Sequence, residues 1–559
     1  MSPIRRYPIL LSFPLALLLT LFLAGTAQAE YLGNITFDQP LHSFLPHGLH
    51  VNVSIDYKID DPAGRHIYVL PYTNGSPTPG YGVSGSVLYP QGTGTATSFF
   101  TVLSGSNIIV DEVRVYTRDA GFTETPLEIF VPVFYRFGPH GVYNIETDRS
   151  QYSRLPHGMD LNINFDYSVD APGCKIYARP FTDGSLTPGY GASGSANLPP
   201  SGSYNQYFSF EADADITDIR FQIFALDNTT LLDQFFVPFD CHWREWGIYD
   251  ISLNHDSVTS LHNSQDLVGS FTFDHQDAGD LYVWIWCIQD GNYCPGSVYQ
   301  GSIPEPAGPH PVTRYTRVSD GTETVDAVRI IVGIPTEIYM EFDMPILIDY
   351  GPHALQNFDF TPASPAIMTQ GEHLDMTFDY LTDEGAGVRV YGRAAYWHNA
   401  LFGMTSAGSP LYPAPSGMGD FWMTYNSNQT ADSIRFQMVN SDQSVMYLEW
   451  FQPGYFIWGA SGSVSDVTDT PAAVATLGLC FPNPFNPTAT IPVNLGRDTH
   501  VRLTVYDVRG RLVRTLQDGA MPAGDHVFTL RGDGLSSGAY ICRLETPAGV
   551  QTQRLTLIK

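Results

Sequence analysis

The stretch His50–Asp60, "HVNVSIDYKID", returns as "DLNINFDYSVD" at 160–170 and as "HLDMTFDYLTD" at 373–383. A looser copy, "DLVGSFTFDHQ", fills 266–276. The landmark rings are Tyr57, Tyr167, Phe273 and Tyr380, with spacings of 110, 106 and 107 residues. Two further markers keep the same period. One is Asp111-Glu112-Val113-Arg114, matched by Thr217-Asp218-Ile219-Arg220, Asp326-Ala327-Val328-Arg329 and Asp432-Ser433-Ile434-Arg435. The other is a proline near the end of each unit: Pro132, Pro238, Pro345 and Pro453. Three markers in one phase establish four repeats.

Within a unit the pattern is β. "VNVSIDY" and "LNINFDY" alternate apolar and polar residues, the period of a strand with one buried face. "IYVLPYTNG" and "IYARPFTDG" end in Asn-Gly and Asp-Gly turn signals. No capped amphipathic helix of a dozen residues interrupts them. Short strands and frequent turns within about 107 residues predict an all-β chain of tandem immunoglobulin-like β-sandwich domains. Composition agrees: of 559 residues only 15% are charged, while Gly (51), Pro (41), Tyr (32) and Phe (33) are abundant.

A net charge of −29 argues against binding nucleic acid or an anionic membrane, since both select a basic face. Arg5 and Arg6, the apolar run Ile9–Ala24 and Ala27-Gln28-Ala29 read as a signal peptide over 1–29, with the mature chain starting at Glu30. No later segment is apolar and long enough for a transmembrane helix. The expected domains are repeats over 30–142, 143–248, 249–355 and 356–459, a small-residue linker over 460–479, and a C-terminal module over 480–559. In an exported chain six cysteines suggest disulfides: Cys174 with Cys241 in one repeat, Cys287 with Cys294 across a hairpin-like stretch, and Cys480 with Cys542 in the C-terminal module.

The last module carries ordered blocks: Pro482-Asn483-Pro484-Phe485-Asn486-Pro487, then Tyr506-Asp507-Val508-Arg509-Gly510-Arg511, then Leu535, Gly538 and Tyr540, and the basic end Lys559. These blocks resemble the type A C-terminal sorting domain of type IX secretion substrates, found in Gram-negative bacteria related to Bacteroidetes. The resemblance covers about 80 residues. It implies a small β-sandwich, a partnership with the type IX secretion machinery, and a protein secreted or attached to the outer-membrane surface. The four repeats resemble no named family.

"TPGYGVSGS", Thr78–Ser86, contains the dinucleotide fingerprint G-x-G-x-x-G. It lacks the helix and the downstream acid that chemistry requires. It recurs at 187–195 as "TPGYGASGS" and fades to "FGMTSAGSPLYP" in the fourth repeat, as a structural connection does. There is no H-E-x-x-H, G-x-S-x-G or P-loop, so no catalytic or cofactor residue is singled out. Acidic loops such as "DHQDAGD" (274–280) are calcium candidates only in charge, because they lack EF-hand ligand spacing. The credible binding chemistry is aromatic: Tyr81, Tyr190, Trp397 and Phe402, in or near long loops, suit sugar stacking or partner burial. The leading expectation is a non-catalytic, adhesin-like or structural surface array. The alternatives are a protein binding surface glycans, or another cell-surface protein, through these rings, and an enzyme with an unrecognised site.

Overall fold

The structure is a computed structural model. It describes residues 30–459 apart from 41–42, 183, 257, 278 and 397–398, and parts of 475–557. The expected signal peptide lies outside the described residues. Every regular element described is a β-strand, and the fold is all-β, as expected.

Each repeat opens with a strand in one sheet and crosses to the facing sheet through a short second strand. In the first repeat Tyr31–Phe37 pairs antiparallel with Val51–Ile59, whereas Ser43–Pro46 pairs parallel with Glu128–Gly138 of the opposite sheet. The same parallel pairing recurs between Ser153–Pro156 and Leu231–Arg244, Val258–His262 and Glu337–Gly351, and Ala366–Thr369 and Met446–Gly459. Alternation does the rest. Val51, Val53, Ile55, Tyr57 and Ile59 face the core, while Asn52, Ser54, Asp56 and Lys58 face outward.

The repeated proline now has a reason. Pro132, Pro238, Pro345 and Pro453 each stand where the ladder to the preceding strand slips register. A bulge is one of the few places inside a sheet where a residue without an N–H is tolerated.

At three of the four junctions the short second strand also pairs with the first strand of a neighbouring repeat, so sheets run across them. Phe44 pairs with Val142, joining halves of the first and second repeats into one ten-stranded sheet. Arg154 pairs with Ile248, making a nine-stranded sheet from the second and third. Between the third and fourth, the N–H of Leu355 bonds Ser260 Oγ at 3.3 Å. The series then closes. Tyr31 and Leu32 of the first repeat pair with Met368 and Ile367 of the fourth, in another nine-stranded sheet. The four sandwiches therefore form a ring, with one hydrophobic core between each successive pair of sheets.

The C-terminal module is a small sandwich of a three-stranded and a four-stranded sheet around Ile491, Leu503, Val505, Leu530, Leu535 and Tyr540.

The cysteine expectation needs correction: Cys174, Cys241, Cys287, Cys294 and Cys542 are free thiols, and Cys480 lies outside the described residues. Cys174 is opposite Ala225 and Cys241 opposite Ile216, both on the strand Ala214–Ala225. Nine residues of strand separate them by about 30 Å, far beyond disulfide reach. Cys287 and Cys294 do face each other across a hairpin, where the N–H of Cys294 bonds the Cys287 carbonyl at 3.0 Å.

Candidate functional site

The outward faces of the first and third strands of each repeat, and of Gly92–Val102 and its equivalents paired beside them, carry the repeated surface chemistry. Its anchor is a bulge in the opening strand, where Asn34, Asn144, Asp250 and Asn357 adopt φ of 48°, 50°, 56° and 51°. Asn and Asp tolerate this left-handed conformation better than other side-chain-bearing residues. In three repeats the amide then donates across to the next strand: Asn34 to Asp56 (2.9 Å), Asn144 to Asp166 (2.8 Å) and Asn357 to Asp379 (2.8 Å). The acceptors are the aspartates of the "DY" repeat. Thr95 bonds the other oxygen of Asp56 at 2.7 Å, and Ser203 does the same for Asp166.

Four residues along the strand from these aspartates, or from Thr272 in the third repeat, the ladder sets an aromatic ring on the same face. Asn52 pairs with Phe99, Asn162 with Tyr207, Val268 with Tyr315 and Asp375 with Trp422. His50 stacks on Phe99 at 3.8 Å between centroids, and His373 on Trp422 at 4.0 Å. Tyr207 is 38% exposed with no such cover from a histidine. These rings follow the repeat period, and sequence reading missed them because they lie inside strands rather than in glycine-rich loops.

The first and second repeats enclose a cleft of about 670 Å³ on this face. Its walls include Pro40 from the first repeat and Asn144, Glu146, Asn164, Tyr204 and Asn205 from the second.

The predicted aromatics are scattered instead. Tyr81 is 39% exposed and Phe402 81% exposed, each on its own loop. Tyr190 is half-buried, edge-on to Phe210 at 6.4 Å with the Arg179 guanidinium 6.0 Å from its ring centre. Trp397 lies outside the described residues. The glycine string is a crossover. Ser76–Pro77 pairs on one sheet, and Tyr81–Val83 on the facing one. Gly80, Gly189, Gly296 and Gly403, all at positive φ, make the turn between the two in every repeat. Ser86, Ser195 and Ser409 fasten it, their hydroxyls accepting the N–H of Ile67, Ile176 and Val390 at 2.8–2.9 Å.

In the 274–280 loop Asp277 accepts the Trp246 indole N–H at 2.6 Å, and Asp274 accepts Gln276 at 3.1 Å. Among the described residues no group of three or more His, Cys, Asp or Glu is placed to hold a metal, and no helix is long and apolar enough to cross a membrane. Of the predicted sorting residues, Leu535 and Tyr540 are buried in the module's core, and Tyr506, Asp507 and Gly538 lie on its strands. Pro482–Pro487, Gly510 and Lys559 are outside the described residues.

No curated protein matches the chain. Among solved structures it is similar to activated Escherichia coli alpha-2-macroglobulin, at 10% identity over 95% of this chain and 53% of that one, with a TM-score of 0.20. A titin I-band fragment gives 6% identity over 57% and 98%, TM-score 0.14, and a marsupial T cell receptor 10% over 55% and 99%, TM-score 0.17. The chain thus spans about half of the macroglobulin's length. Scores this low add nothing to the fold, which rests on the strand pairings themselves. Residues 479–559 match the family described as the secretion system C-terminal sorting domain. The C-terminal module is therefore a type IX secretion sorting domain, and it marks the chain that carries the four-sandwich ring as secreted or attached to the cell surface.

Proposed function

We propose that the ring is a non-catalytic binding element, adhesin-like or structural, displayed at or released from the cell surface by the sorting module. The observation that carries this reading is the recurrence of an aromatic ring at one register position in all four repeats, beside an Asn–Asp polar pair in three of them. Repeated faces on a rigid frame suit multivalent attachment, where each contact is weak and linkage supplies avidity. Ring closure fixes the spacing of the faces and gives up the reach of an extended array. A catalytic centre, by contrast, needs one constellation rather than four similar ones.

The test is surface attachment. Cells lacking the protein lose adhesion to other cells or to an insoluble matrix, and the purified exported chain restores or competes for it. Unchanged adhesion in the deletion strain, together with no surface binding by the purified chain, sinks the reading.

A further inference from the structure

Three of the four junctions of the ring share a strand pairing across the repeats, but they are not filled alike. Asp148 of the second repeat accepts the N–H of Asn162 at 2.9 Å, as Asp38 does that of Asn52 at 2.8 Å, so the residue after each aspartate occupies the same place. After Asp148 comes Arg149, which extends over the Tyr249 ring at 5.0 Å and reaches within 3.8 Å of Asp250, covering the junction between the second and third repeats. At the closing junction the loop from the fourth repeat drops onto the face: the N–H of Asn34 bonds the Ala363 carbonyl at 2.7 Å, and Pro362 packs on Gly33. After Asp38 comes Gln39, which turns inward and is 8% exposed. Among the described residues no side chain takes Arg149's place there, and the cleft between the first and second repeats stands open.

Its chemistry is specific. Asn205 donates to Asn164 at 2.9 Å, which leaves an amide N–H₂ on Asn164 and a carbonyl on Asn205 for a ligand. Asp166 is occupied by Asn144 and Ser203, and Asp38 by the backbone and amide of Asn52. Glu146 makes no hydrogen bond or ion pair among the described residues, so one carboxylate with open lone pairs faces the cleft. Among its described lining residues there is no Lys, Arg or His, which disfavours phosphate, sulfate or uronate ligands. Pro40 and Ile145 supply apolar wall for C–H faces. Tyr207 adds an exposed ring two residues along the strand from Asn205, about 7 Å away on the same face.

We infer that this cleft binds a neutral saccharide: hydroxyls donating to Glu146 and Asn205, one accepting from Asn164, and a sugar ring stacked on Tyr207. The volume is in the range of small-molecule sites. Surplus acceptors match a ligand rich in hydroxyl donors, and the flat mixture of amide, carboxylate and aromatic surface matches the two-faced polarity of a pyranose. The inference rests on reading the ring as a binding element and names the ligand class of one of its faces.

The experiment titrates the full exported chain with short neutral homo-oligosaccharides (cello-, malto-, manno- and xylo-series) by calorimetry, with a heparin oligosaccharide and oligolysine as charged comparators. At least one neutral series binds. Glu146→Gln, and separately the Asn164→Ala/Asn205→Ala pair, weaken it by about tenfold or more, the loss of one or two hydrogen bonds to a charged or amide group. Tyr207→Ala weakens it similarly, Tyr293→Ala, at an exposed ring on the facing sheet of the third repeat, leaves it unchanged, and thermal melts of all variants match the parent. Binding of heparin or oligolysine in place of the neutral sugars overturns the inference. So does saccharide binding unaffected by these substitutions, or no saccharide binding at all. If adhesion persists in that last case, the cleft assignment alone fails; if adhesion is absent too, the proposed function fails with it.

Discussion

Lys58 holds its ammonium 2.8 Å from one carboxylate oxygen of Glu372 and 3.0 Å from the other, although they belong to the first and fourth repeats. The pair closes the ring beside the Tyr31–Met368 ladder. Glu372 is only 8% exposed on its side chain, so Lys58→Ala leaves a largely buried carboxylate without its cation. The expected loss is about 1–3 kcal/mol of stability, read by thermal or denaturant unfolding. Solution scattering on the exported chain is expected to give a compact particle for residues 30–459. A profile of four beads in a row contradicts the closure.

Removing residues 480–559 takes away the sorting module while leaving the ring's four cores intact. The truncated chain is expected to accumulate in the periplasm, with none at the surface or in the medium. Fractionation and immunoblotting against the full chain decide it, and surface delivery of the truncation contradicts the sorting role.

Cys287 and Cys294 occupy the positions that Pro71 and Thr78 hold in the first repeat, where the N–H of Thr78 likewise bonds the Pro71 carbonyl, at 2.9 Å. Directly opposed residues on a hairpin have the Cα separation a disulfide requires. Oxidation of the exported chain by a disulfide-bearing exchange partner is therefore expected to join this pair, with two thiols giving up two protons and two electrons. Cys174 and Cys241 are expected to stay reduced. Peptide mapping under non-reducing conditions distinguishes them, and a Cys174–Cys241 bridge would contradict the strand register.

Gly403 turns the fourth repeat's crossover at φ 84° with nothing within 4 Å of an added Cβ. Gly80, at φ 70°, would also bring a Cβ to 2.9 Å from Ser104 Oγ. Gly403→Ala isolates the backbone penalty, about 1–2 kcal/mol, and Gly80→Ala adds a steric part on top. Paired unfolding curves test the order, and equal losses would mean the Ser104 contact yields freely.

Two carboxylates respond to pH with opposite sign. The Glu124 backbone N–H, helped by Thr123 and Gly121, holds the carboxyl of Asp119 at about 2 instead of 3.8. Its contribution is full above 3.8 and is lost as pH falls through about 2. Burial of Glu30 at the ring seam raises its carboxyl above 4.5, against the pull of Arg65. The folded seam therefore keeps a proton that the unfolded chain has released, and its stability declines as pH rises from 4.5 through the raised value. Carboxyl NMR titration is expected to show Asp119 below, and Glu30 above, their ordinary ranges.

The repeat landmarks, the strand pattern of "VNVSIDY" and the block order of the sorting module were legible in sequence because each is local. Alternation assigns faces, and a motif's spacing is carried by neighbouring residues. The glycine string was legible as a repeated connection for the same reason, and its turn glycine persists as Gly296 and Gly403 where the string itself fades. Ring closure was not legible. It depends on Tyr31 meeting Met368, a pairing across more than 300 residues that no periodicity encodes. The same holds for the cleft. Glu146, Asn164 and Asn205 are ordinary outward positions on three strands, and nothing in sequence says that Gln39 turns inward where Arg149 reaches out. Local spacing determined the sandwiches and their destination. Which edges joined, and which junction stayed open, was decided only where distant strands and side chains competed for the same space.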